Sequence, residues 1–133
     1  MSQPLLNAIV SEIDNVKMNW DYYPIETAFA LRALLNTLKE TEMYHKHCIL
    51  QGKRHELIED KLELDWKGTA EFMHKLRMFE MAKCCRHAQV SLVKSKGLHD
   101  DFIKNSPLDF SIVIKAPEKA LKSIRSRKNL FVK

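Results

Sequence analysis

The sequence predicts an all-α fold, and three observations carry that prediction. Apolar residues recur at spacings of three and four through most of the chain, the period of a helix with one buried face. Glycine (three) and proline (four) are scarce, so there is little material for the tight turns that many short strands would need. At 133 residues, 45% apolar and 29% charged, the chain has the size and composition of one domain that builds its own core.

The elements follow in order. Residues 4–19 read as a first helix: Ser2 caps it, Pro4 suits a first turn, and Leu5, Leu6, Ile9, Ile13 and Val16 form one stripe. Trp20–Tyr23 breaks it, because Tyr23 precedes Pro24 and is pushed out of the α region. Pro24 then opens a second helix with the stripe Ala28, Leu31, Leu35, Leu38, Glu42, His45 and Ile49. Gln51-Gly52 is its first interruption, although residues 54–64 are helical in composition and a mid-helix glycine costs only ~1 kcal/mol, so the helix can run on. Asp65 or Thr69 caps a third helix reaching Ser95-Lys96, with Gly97 as C-cap. Its stripe is Trp66, Ala70, Met73, Leu76, Glu80 and Cys84, widened by Phe72 and Phe79.

Stretches 24–51 and 69–96 are equal in length, which suggests a long antiparallel helical hairpin with shorter helices on its flanks. Leu31, Leu35, Leu38, Met73 and Leu76 are its expected core. Beyond Gly97, residues 99–104 suit a short turn of helix and Asn105-Ser106-Pro107 is a break. The β-branched run Phe110–Ile114 favours an extended strand or strap, and Pro117 opens a last helix through Arg127. The expected organisation is a helical core over 1–104 and a basic C-terminal extension over 105–133, packed on the core or projecting from it.

Candidate chemistry centres on polar residues within the stripes. Glu42 and His45 form Glu-x-x-His, and Glu80 and His87 lie on the third helix. Carboxylate-bridged metal sites in helical bundles use such inward i, i+3 pairs, so Glu42, His45, Glu80 and His87 are the candidate metal ligands. The competing reading pairs the carboxylates with basic neighbours, Arg77 being level with Glu42 if the two stretches align end to end. A second Glu-x-x-His, Glu71 and His74, points away from the stripe. In Cys84-Cys85-Arg86-His87, Cys84 falls on the apolar face as a small hydrophobe and Cys85 is the more exposed. His99-Asp100-Asp101 reads as a polar helix start. There is no phosphate-binding glycine loop, Gly-x-Ser-x-Gly or His-Glu-x-x-His, which leans the reading away from an enzyme and gives no reason to expect a cofactor.

Charge is concentrated at one end. Residues 116–133 carry Lys119, Lys122, Arg125, Arg127, Lys128 and Lys133 against Glu118, a net of +5 equal to that of the whole chain. The preceding 115 residues therefore sum to zero. Phosphate backbones attract such a segment, so Lys119, Lys122, Arg125, Arg127 and Lys128 are the candidate nucleic-acid contacts. The chain shows no secretory leader, no apolar run of membrane-spanning length, and three cysteines in a pattern that suits free thiols. The expectation is a cytoplasmic, non-enzymatic interaction or regulatory protein. It would bind a protein partner or a second copy of itself, with DNA or RNA as the alternative partner and a metal-binding bundle enzyme as a third reading.

Overall fold

The structure, a computed structural model, describes residues 3–94 and 109–131. Every regular element among them is helical. Helix α1 spans Gln3–Met18 and buries Leu6, Ile9, Ile13 and Val16, the stripe expected from spacing; Ser2 lies outside the described residues. A 3-10 turn, Asn19–Asp21, ends it, and the Asn19 side chain donates to the Leu76 carbonyl at 3.1 Å.

Helix α2, Pro24–Gln51, starts on Pro24 and stops at Gly52. Gly52 is in the left-handed region (φ 67°), and its N–H closes on the Cys48 carbonyl at 2.8 Å. The helix therefore does not run on: once a residue at this position turns left-handed, the next turn of the ladder cannot form. The buried face is Thr27, Ala30, Leu31, Leu34, Thr37, Leu38, Thr41, Tyr44, His45 and Cys48. It lies about one residue N-terminal of the expected stripe, leaving Leu35 and Ile49 only half-buried. The shift comes from Thr27, Thr37 and Thr41, which an apolar count omits. Thr41 Oγ1 donates to the Thr37 carbonyl at 2.7 Å and accepts from the Trp66 indole N–H at 3.0 Å. Thr37 and Thr69 hydroxyls meet at 3.3 Å. Satisfied hydroxyls of this kind are tolerated inside.

After a four-residue turn, helix α3 runs Glu56–Lys75, so Asp65 and Thr69 lie inside it rather than capping it; the helical composition of residues 54–64 belongs to its first half. It lies antiparallel to the second half of α2, as the pairs Thr37–Thr69, Thr41–Trp66 and Tyr44–Glu59 require. A continuous helix over 69–96 is not found. Arg77 takes a left-handed conformation (φ 61°), with Met78 N–H bonded to the Met73 carbonyl at 2.8 Å and Arg77 N–H to His74 at 2.9 Å. That double closure terminates α3. Helix α4, Phe79–Ala88, restarts and passes into a π-helical turn, Gln89–Lys94. The break resets the helical phase, so α4 buries Met81, Ala82, Cys85 and Ala88, while Glu80 faces solvent and Cys84 is half-buried. The expected order of the two cysteines is reversed.

Helix α5, Ser111–Phe131, contains the segment expected to be extended. Asp109 Oδ1 accepts the Ser111 N–H at 3.0 Å, which caps the first turn. Phe110, Val113, Pro117, Ala120, Leu121 and Ile124 are then buried at helical spacing. Packing along that face outweighs the small helix penalty of Ile112, Val113 and Ile114. Pro117 sits inside the helix rather than opening it. Gln3 exchanges two hydrogen bonds with the Asp109 backbone, at 3.2 and 3.3 Å, tying the start of α5 to the start of α1.

The principal neighbours form a closed ring, α1–α5–α2–α3–α4 and back to α1, around a single core that includes Leu31, Leu34, Leu38, Trp66, Met73, Met81 and Phe110. Among the described residues, no helix is long and apolar enough to cross a membrane.

Candidate functional site

Two places stand out. The first is a polar cluster where the α2–α3 turn meets the π-helical segment. Glu59, in the first turn of α3, is 3% exposed. Its carboxylate accepts Arg54 Nε–H at 2.7 Å and an Arg54 terminal N–H at 2.5 Å, and also the Tyr44 hydroxyl. Tyr44 Oη in turn accepts the His55 backbone N–H at 3.0 Å. His45 donates Nε2–H to the Leu92 carbonyl at 2.7 Å and stands edge-on to the Phe110 ring, centroids 5.3 Å apart.

Burial governs the protonation here. It pushes the Tyr44 hydroxyl up, reinforced by its bonds to Cys48 and Glu59, and pushes the Cys48 thiol up. It lowers His45 to about 4, against the opposing pull of the Leu92 carbonyl and the Glu59 charge. At neutral pH, therefore, Tyr44, His45 and Cys48 are all uncharged, and the charge is confined to the Arg54–Glu59 pair. A two-pronged pair of this kind fixes geometry, since removing Arg54 strands the buried Glu59 charge. Chemically the cluster is a lock: it offers no thiolate and no basic imidazole. Burial likewise raises Cys84 and lifts Cys85 to about 12.

The metal-ligand candidates are not brought together. Glu42 pairs at 3.6 Å with Lys46 one turn on, not with Arg77, which is exposed in the α3–α4 break. The His45 Nε2 is committed to a backbone carbonyl. Glu80 and His87 are exposed on α4 and line, with Cys84, Lys83 and the start of α1, an open groove of about 410 Å³. Among the described residues, no three His, Cys, Asp or Glu side chains converge on a common point. Glu71 and His74 are both exposed on α3. Of the basic candidates, Lys119 and Lys122 project to solvent from α5. The side chains of Arg125, Arg127 and Lys128, and the whole of His99-Asp100-Asp101, lie outside the described residues.

The second place is the outer face of the α2–α3 pair, which sequence reasoning missed. A groove of about 350 Å³ runs between the helices, floored by Ala33 and Gly68 and walled by Leu64 and Phe72. A Cβ built on Gly68 would meet nothing within 4 Å, so the floor is open. Lys61 spans the groove, holding Glu40 and Asp65 each at 2.9 Å. Ile25 and Phe29 continue the row of Ala33 along α2 and are 67% and 54% exposed; Leu64 and Phe72 are 67% and 44% exposed. The available signal was a second 3–4 register on the same helix: Ile25, Phe29, Ala33 and Asn36 on α2, and Leu57, Lys61, Leu64, Gly68 and Phe72 on α3.

Comparison with known protein families, with curated proteins and with solved structures finds no match to the chain.

Proposed function

We propose that this is a non-enzymatic helical interaction protein that self-associates through the outer face of α2 and α3. The observation that carries the reading is that this face holds both protrusions and a hollow. Phe29, Leu64 and Phe72 stand out beside a floor of Ala33 and Gly68. A two-fold dimer needs one patch that complements itself, and a patch with knobs and a small-residue hollow meets that requirement. Contiguous exposed apolar side chains rimmed by charge are also the usual mark of an interface. Lys61 lies between carboxylates, so the rim carries both signs and the lysine of one copy can meet a carboxylate of the other. Free Cys48, Cys84 and Cys85 support a reducing, cytoplasmic setting.

Sedimentation velocity over a wide concentration range tests this. The wild-type chain should dimerise, and Phe29→Glu with Phe72→Glu should be monomeric with an unchanged far-ultraviolet spectrum. A wild-type chain that stays monomeric at high concentration would sink the reading.

A second reading has its own support. Lys115, Lys119 and Lys122 follow one another at spacings of four and three on the solvent side of α5, opposite the buried Val113, Ala120 and Ile124. That ordered basic row supports contact with nucleic-acid phosphates.

A further inference from the structure

The tip of the α2–α3 pair carries two imidazoles that no role so far has used. His47 lies in the last turns of α2, and His55 is the N-cap residue of α3. Their Nε2 atoms are 3.2 Å apart at the surface. The ring centres are 4.8 Å apart with planes tilted by 45°. Without an ion the two rings share one hydrogen bond, one Nε2–H donating to the other Nε2; an ion would take the place of that proton. Two imidazole nitrogens sharing one tetrahedral zinc ion at 2.0–2.1 Å each would be separated by about 3.3 Å.

The backbone beneath the pair is fixed. The Gly52 N–H closes α2 on Cys48 at 2.8 Å, and Glu59 N–H reaches back to the His55 carbonyl at 3.0 Å. The His55 N–H is held by Tyr44 Oη at 3.0 Å, and Tyr44 is itself held by the buried Glu59 carboxylate, which Arg54 grips. These bonds fix the backbone that carries His55 beside the last turns of α2. We propose that His47 and His55 form a surface chelate for a divalent transition-metal ion of the zinc or copper class, with water completing the coordination. Imidazole suits these ions, and copper should bind more tightly than zinc. The site is separate from Glu42, His45, Glu80 and His87, and it does not depend on self-association.

The test is calorimetric titration of the full chain with Zn²⁺ alone and Cu²⁺ alone, with histidine ring signals followed by NMR. One ion per chain should bind and shift the rings of His47 and His55. His47→Ala and His55→Gln should each weaken binding by about a hundredfold, the loss of the second, intramolecular bond of a chelate. His87→Ala and Cys84→Ser should leave binding unchanged. His47 is exposed, so its variant keeps the fold, and circular dichroism confirms this for both. If the wild type binds no more tightly than His47→Ala, or if binding disappears in His87→Ala or Cys84→Ser instead, the proposal fails.

Discussion

His45 shows how much a single side chain can depend on parts of the chain far away in sequence. Spacing placed it on the inner stripe of the second helix, and it is indeed buried at 4% exposure. Its partner is a backbone carbonyl 47 residues on, presented by a π-helical turn that no i, i+3 pattern announces. Glu59 was illegible for a related reason: an acidic residue in the first turn of a helix normally faces solvent, and only the fold brings Arg54 and Tyr44 onto it. Burial of His45 has a consequence for acid stability. Its folded pKa is lowered to about 4, below the ~6.5 of an unfolded chain. Between those values the unfolded state takes up a proton that the folded state refuses. The His45 contribution is therefore complete above about pH 6.5 and is lost as pH falls toward 4, by up to ~3 kcal/mol. Urea unfolding at several pH values between 7 and 4 should show that loss, and His45→Gln should flatten it. An unchanged slope in His45→Gln would assign the acid sensitivity to other groups.

At the level of elements, the first two helix starts were legible and the later ones were not: the third helix begins at Glu56, well before the expected Asp65 or Thr69 cap. Pro24 opens α2 as its position predicts, and the 3–4 stripe of α1 is the buried one. Two left-handed residues define the stops, and only one is a glycine. Gly52 could be seen as an interruption. Arg77 could not, because nothing in its chemistry favours φ 61°; the Met73 and His74 carbonyls hold it there. Missing that one residue moved the phase of everything after it, which is why Glu80 and Cys84 were expected inside and Cys85 outside. The C-terminal helix was missed differently: Pro117 looked like a start, whereas the helical period begins at Phe110 and the cap is Asp109. The two stops lead to opposite expectations. Gly52→Ala should cost about 1 kcal/mol, since a Cβ is disfavoured in the left-handed region whatever space surrounds it. Arg77→Gly should stabilise by up to about 1 kcal/mol for the same reason. Thermal denaturation of both variants checks the pair. A gain at position 52 or a loss at position 77 would contradict the caps described.

Across the whole molecule, α5 closes the ring, and this decides what its charge can do. Val113, Pro117, Ala120, Leu121 and Ile124 are buried where α5 packs on α1 and α2. The opposite side therefore presents Lys115, Lys119 and Lys122 from a fixed platform, while the α2–α3 groove opens elsewhere on the ring. Association through the groove and phosphate contact through α5 are thus separable surfaces, and each can be removed alone. For the basic row, binding to a short DNA or RNA duplex should weaken steeply with salt, because every phosphate neutralised releases a condensed counterion. Replacing Lys115, Lys119 and Lys122 together by Ala should lower the slope of log K against log salt by up to about 3 and weaken all sequences alike, since phosphate contacts carry no base information. The three side chains are exposed, so helicity and self-association should be unaffected, and Phe29→Glu with Phe72→Glu should leave the salt slope per chain unchanged. Binding that survives the triple substitution would move the contact off this face of α5. No salt-sensitive binding at all would leave the lysine row a solvated surface and the groove the one interaction surface proposed for partner binding.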